Sequence, residues 1–134
     1  IVVVFIGCLS NLIGTILRGI ILAHHFDKHY RETEWGIQYL ASQRDLPAIA
    51  DFDFYFSTDA ATAQPLAAVS ALQSEGFAAA YDEETRDIWA PVYALTVDIA
   101  AIWRHEKPMT EICLRYGFKP DGWGFSDASA VNLV

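Results

Sequence analysis

The chain has 134 residues, room for one domain and an appendage. A net charge of −8 and a pI near 4.7 exclude non-specific binding to nucleic acid, because phosphates are repelled where no basic patch receives them. The two cysteines, Cys8 and Cys113, stand far apart in apolar contexts, which excludes a disulfide framework and a zinc-type cluster.

Hydrophobic residues make up 53% of the chain and the mean hydropathy is +0.21, with the excess gathered at the N-terminus. Residues 1–23 read IVVVFIGCLSNLIGTILRGIILA, and the first charge is Arg18. Roughly 20 apolar residues span a bilayer core. Three readings fit this run. Length and hydropathy favour a membrane anchor over residues 1–24. A signal peptide lacks its basic n-region here, and a buried core helix is the third alternative. Arg18, Lys28 and Arg31 follow or flank the run, together with His24, His25 and His29. The positive-inside rule then predicts a single-pass membrane protein whose C-terminal domain is cytoplasmic.

Residues 25–47 read as a juxtamembrane helical linker. His25 and His29 are four apart, on one helix face, but two histidines do not complete a metal site, so a solvated segment is expected. Trp35, Tyr39 and Leu40 are weakly helical in spacing, and Pro47 closes the linker.

Residues 48–127 read as the folded domain. Asp51-Phe52-Asp53-Phe54-Tyr55-Phe56 alternates as a strand, with the phenylalanines toward a core and Asp51, Asp53 and Tyr55 outward. Ser57, Thr58 and Asp59 are candidate N-caps for a helix running to Glu75, with Leu66, Val69 and Leu72 on its inner face; Pro65 either starts its regular part or kinks its second turn, and Gly76 stops it. A strand over Phe77 to Tyr81, a charged hairpin at Asp82-Glu83-Glu84-Thr85 and a strand over Ile88 to Leu95 follow, the last with Trp89, Pro91 and Tyr93 on one side and Ile88, Ala90, Val92 and Ala94 on the other. Pro91 argues for an edge or a bulge. Asp98 caps a second helix whose apolar residues, from Ile99 to Tyr116, keep one phase across Pro108. Gly117 ends it, Lys119-Pro120-Asp121-Gly122 fits a type I turn, and Trp123 and Phe125 begin a fourth strand. The order gives an α+β fold: a ferredoxin-like βαββαβ sandwich preceded by a long N-terminal apolar helix, with residues 128–134 as a tail.

Catalytic chemistry needs converging groups. Asp51 and Asp53 are tied to no partner by sequence, and adjacent His105 and Glu106 point to different helix faces, so they read as exposed polar residues beside Pro108. Cys113 sits on the buried stripe, and no phosphate-cradling loop is present. The expectation is a chain that is not an enzyme, with no cofactor and no metal.

Three pieces in order carry a resemblance. They are the aspartate-led aromatic strand Asp51 to Phe56, the alanine-rich helix ending in Glu75-Gly76-Phe77, and Tyr116-Gly117 followed by Asp121-Gly122-Trp123-Gly124. From about Asp51 to Phe125 the chain resembles the regulator of ribonuclease E activity B family. The resemblance implies a non-catalytic domain that binds ribonuclease E by protein–protein contact, touching no nucleic acid directly. Candidate partner-binding residues are Asp51, Asp53 and Tyr55 on the first strand, with Asp121 and Trp123 at the turn. A turn and a core aromatic also account for Asp121 and Trp123 without any partner. The other functional reading is an accessory subunit of a larger membrane assembly with no role in RNA turnover, for which Gly7, Ser10, Gly14 and Thr15 permit close helix contact.

Overall fold

A computed structural model describes residues 23–127. It contains α1 (Phe26–Gln43), β1 (Ile49–Ser57), α2 (Pro65–Ser74), β2 (Ala80–Asp82), β3 (Asp87–Thr96), α3 (Ile99–Arg115) and β4 (Lys119–Asp127). The strands form one antiparallel sheet in the order β2-β3-β1-β4, so the class is α+β. No helix among the described residues is long and apolar enough to cross a membrane. The expected anchor, apart from its last two residues, and the expected tail lie outside the described residues.

Alternation in β1 decides the two faces. Phe52, Phe54 and Phe56 are buried and meet Leu72, Ile88, Ile102, Met109, Cys113 and Phe118 in one core. Each such side chain contributes about 1.5–3 kcal/mol on burial. Asp51, Asp53 and Tyr55 take the opposite face, as the alternation predicts. β3 follows the expected facing as far as Val92. There a bulge intervenes: Ala94 has φ +53 and is exposed, and Leu95 takes the core position instead. Pro91 is tolerated because β2 pairs only with Asp87 to Trp89, leaving the rest of β3 an edge on that side.

Both α2 and α3 end in the same device. Gly76 and Gly117 take positive φ, and the next residues, Phe77 and Phe118, donate back to Leu72 and Cys113 carbonyls at 3.0 Å. This uses the backbone of Phe77, so β2 starts at Ala80 and is shorter than the expected strand from Phe77. α3 begins at its Asp98 cap, which accepts from the Ala101 N–H at 2.7 Å, and continues through Pro108 as one helix.

Several expectations are corrected. Ser57, Thr58 and Asp59 cap no helix: β1 runs to Ser57, and Thr58 closes a local turn by accepting from Ala60 N–H. α2 starts at Pro65, whose fixed φ and missing N–H suit a first turn. Its inner face is Ala68, Val69 and Leu72, while Leu66 is 79% exposed. The turn expected at Lys119 to Gly122 is a bulge inside a continuous strand. Lys119 and Pro120 already pair with Ser57 and Phe56, Trp123 pairs with Phe54, and Gly122 absorbs the irregularity at φ +97.

The segment expected to be a solvated linker is a packed helix. α1 buries His29 and Thr33 against α3. Phe26, His29 and Tyr30 surround Trp103 edge-on, with ring centroids 6.5, 5.0 and 5.4 Å away. Further along, Gly36 lies over Trp123; a Cβ there would sit 3.4 Å from the indole. All three helices of the described residues therefore lie on the phenylalanine face, and no described helix covers the other face of the sheet.

Candidate functional site

The open face is built by alternate residues of β1 and β3. Tyr55 pairs with Trp89 and Asp53 with Pro91, so their side chains share one surface. Tyr55, Trp89 and Tyr93 are 39%, 37% and 60% exposed. Two carboxylates hold this surface in shape. Trp89 Nε1–H donates to Asp53 Oδ1 at 2.7 Å, which fixes the indole in one orientation. Ala94 N–H donates to Asp51 Oδ1 at 2.9 Å, which secures the bulge beside Tyr93. Asp51 and Asp53 thus act first as supports for neighbouring groups.

A shallow pocket of about 330 Å³ opens beside these aromatics, lined by Tyr55, Trp89, Tyr81, Thr85, Asp82 and Asp87. Its sign is negative. Asp82 also forms the hairpin, accepting from the Glu84 and Thr85 N–H groups at 2.9 and 3.4 Å. Oriented aromatic rings, a pocket and carboxylates make a surface suited to a basic, partly apolar protein patch.

The five predicted partner-binding residues do not come together. Asp51, Asp53 and Tyr55 share the open face, whereas Trp123 lies on the helix side, with its ring 5.5 Å from that of Phe52 and beneath Gly36. Asp121 is exposed on the β4 bulge. Trp89 and Tyr93 were missed as site residues; their alternation with Ile88, Ala90 and Val92 was the signal that pointed to them.

A second polar arrangement joins α1 to α3. Glu106, expected to be exposed, is 2% exposed. Thr33 Oγ1–H donates to its Oε1 at 2.5 Å, and His29 Nε2 stands 3.4 Å from the same oxygen. His29 Nδ1 meets His24 Nε2 at 3.1 Å. Burial lowers the His24 pKa from its ordinary 6.5; His29 and His25 push the same way, and Glu32 opposes them. The groups form a chain and do not converge on one point. Among the described residues no group of three or more such side chains could hold a metal ion.

His25 is exposed and only precedes α1. His105 Nδ1 contacts its own helix at the Ala101 carbonyl, 2.9 Å away, and does not meet Glu106 across a substrate site. Cys113 is a buried free thiol whose pKa burial pushes up to about 12, the opposite of a nucleophile's environment.

No family model, no curated protein and no solved structure matches the chain at a significant level.

Proposed function

We propose that this chain is a non-catalytic regulator that binds a protein partner through the open face of its sheet. The observation that carries this reading is the surface of Tyr55, Trp89 and Tyr93, which no described helix covers, with Trp89 held by Asp53. Rigid aromatics lose little freedom on binding and dominate interface energies. The surrounding Asp51, Asp53, Asp82 and Asp87 select a basic partner surface and repel RNA phosphates, which separates this face from an aromatic sheet that stacks bases.

The strand order β2-β3-β1-β4 and the alternation of strand and helix support a ferredoxin-like reading of the domain. The motif residues from Asp51 to Gly124 support ribonuclease E as the first partner to test. The apolar run over residues 1–24 supports a tether that raises local concentration at the cytoplasmic side of a membrane.

The test is direct binding of the full chain to purified ribonuclease E, with RNA cleavage followed in the same mixture. Binding and slowed cleavage are expected for the native chain. Trp89→Ala with Tyr93→Ala should weaken binding at least about tenfold, as hot-spot aromatics do, while Leu66→Ala on the helix side should leave it unchanged. Equal binding by the double variant overturns the face. Saturable binding of single-stranded RNA to that face overturns the class of partner.

A further inference from the structure

Beside Tyr55 and Trp89, at the hairpin end of the open face, lies the pocket of about 330 Å³. It is at the small end of ligand sites, with room for one side chain.

The strand register builds its walls. Trp89 pairs with Tyr55 on one side and with Ala80 on the other, so all three side chains stand on the open face. Ala80 carries only a methyl group, and the indole beside it stays 37% exposed. That indole is held in one orientation by its bond to Asp53 at 2.7 Å. Two aromatic walls and a short floor are therefore in place before anything binds.

The end of the pocket is anionic. Asp87 precedes Trp89 by two residues and shares its face, and it pairs directly with Asp82 across the strands. Like charges opposite each other destabilise a sheet. Among the described residues no cation forms an ion pair with either carboxylate. Arg86, their neighbour in sequence, instead reaches the Ala60 carbonyl at 3.5 Å. Asp82 Oδ1 accepts from the hairpin N–H groups, whereas among the described residues nothing donates to the Asp87 carboxylate. The aromatic walls and the unrelieved carboxylate pair are separate observations, and each favours a positive charge in the pocket.

The shape of that charge can be narrowed. A metal ion needs more ligands than two carboxylates, and among the described residues no group of three or more such side chains could hold one. An ammonium is a strongly hydrated point charge with no flat surface to lay on the indole. A guanidinium is planar, stacks on an aromatic face and presents paired N–H donors to carboxylates.

We propose that this pocket takes an arginine side chain of the protein partner. The guanidinium lies against Trp89, and its apolar stem runs past Tyr55 and Ala80. Its N–H groups donate to Asp87 and to the second oxygen of Asp82. The proposal rests on the open-face reading and adds which residue of the partner anchors there.

The experiment follows the Trp89 indole N–H in NMR spectra of the full chain, its resonance assigned through Trp89→Phe. The probes are N-acetyl-arginine amide, the lysine analogue, and the citrulline analogue, which keeps the shape of arginine without its charge. A saturable shift with the arginine probe is expected in the millimolar range, with the lysine and citrulline probes each at least about fivefold weaker. Asp87→Asn should weaken the arginine probe about fivefold. That variant also relieves the like-charge pair, so its melting temperature should hold or rise, and lost binding is not lost fold. Tyr93→Ala, outside the pocket, should leave the arginine probe unchanged.

Absence of a saturable shift overturns the proposal. So do equal affinities for arginine and citrulline, equal affinities for arginine and lysine, or an Asp87→Asn chain that binds as the native one does. These outcomes separate from those of the ribonuclease E experiment. Ribonuclease E binding that is weakened by Trp89→Ala with Tyr93→Ala but untouched by Asp87→Asn keeps the face and removes the pocket. Arginine binding without ribonuclease E binding keeps the pocket and removes that partner.

Discussion

At Glu106 a carboxylate is kept inside the fold by two neighbours from another helix, Thr33 and His29. Removing it leaves the Thr33 hydroxyl and the His29 ring facing a hole, while removing Thr33 leaves the carboxylate short of a donor. Glu106→Ala should therefore cost about 2 kcal/mol and Thr33→Val about 1–2 kcal/mol in urea unfolding. Because the two share one bond, the double variant should cost less than the sum; strict additivity would show that they do not act together. His24 supplies a pH dependence of known sign. Burial and the neighbouring histidines hold it below its ordinary 6.5, so the unfolded chain takes up a proton that the folded chain resists. The stability from neutral His24 is complete above pH 6.5 and is lost as pH falls through the lower folded value. Melting temperature should drop between pH 7.5 and 5, and His24→Asn should make that drop smaller.

Elements here are stopped and bent at a few positions of positive φ, and these can be ranked by their surroundings. A Cβ at Gly76 meets nothing within 4 Å, so Gly76→Ala should cost only the left-handed strain, about 1 kcal/mol. At Gly117 the same Cβ would stand 3.1 Å from Ala63 Cα, where the loop before α2 closes on the end of α3 through Gln64 N–H to the Tyr116 carbonyl. Gly117→Ala should cost about 2 kcal/mol or more, and a reversed order in chemical denaturation would contradict this packing. Ala94, at φ +53, is the opposite case: Ala94→Gly should stabilise by about 0.5 kcal/mol in the same denaturation measurement.

The same elements show which parts of the fold the sequence discloses. The alternation of Phe52, Phe54 and Phe56, the Asp98 cap, the apolar phase carried across Pro108 and the glycine stops obey local rules, and all were legible. Docking of α1 was not. Its buried contacts are His29 and Thr33, with Gly36 closing on Trp123, and none of these adds to an apolar period. Pro120-Asp121-Gly122 has the composition of a turn and of a bulge alike. Pairing with β1, a contact distant in sequence, decides between them. Of the candidate site, Asp51, Asp53 and Tyr55 were placed on the right face by alternation, but their joining to Trp89 and Ala94 depended on the β1–β3 register. Glu106 was hidden because adjacency to His105 says nothing about a helix arriving from residues 26–43.

Across the described residues, all three helices cover one face of the sheet and leave aromatic rings on the other. The exposed face carries Tyr55, Trp89 and Tyr93 amid carboxylates, and the covered face carries a cleft beneath α1. The proposed regulator would engage its protein partner through the exposed face. The measurement that bears most directly on this account is the affinity of the full chain for purified ribonuclease E, native against Trp89→Ala with Tyr93→Ala, at matched melting temperature. The account predicts measurable binding by the native chain and a loss of at least about tenfold in the double variant. Equal affinity of the two chains, or no binding by the native one, would contradict it.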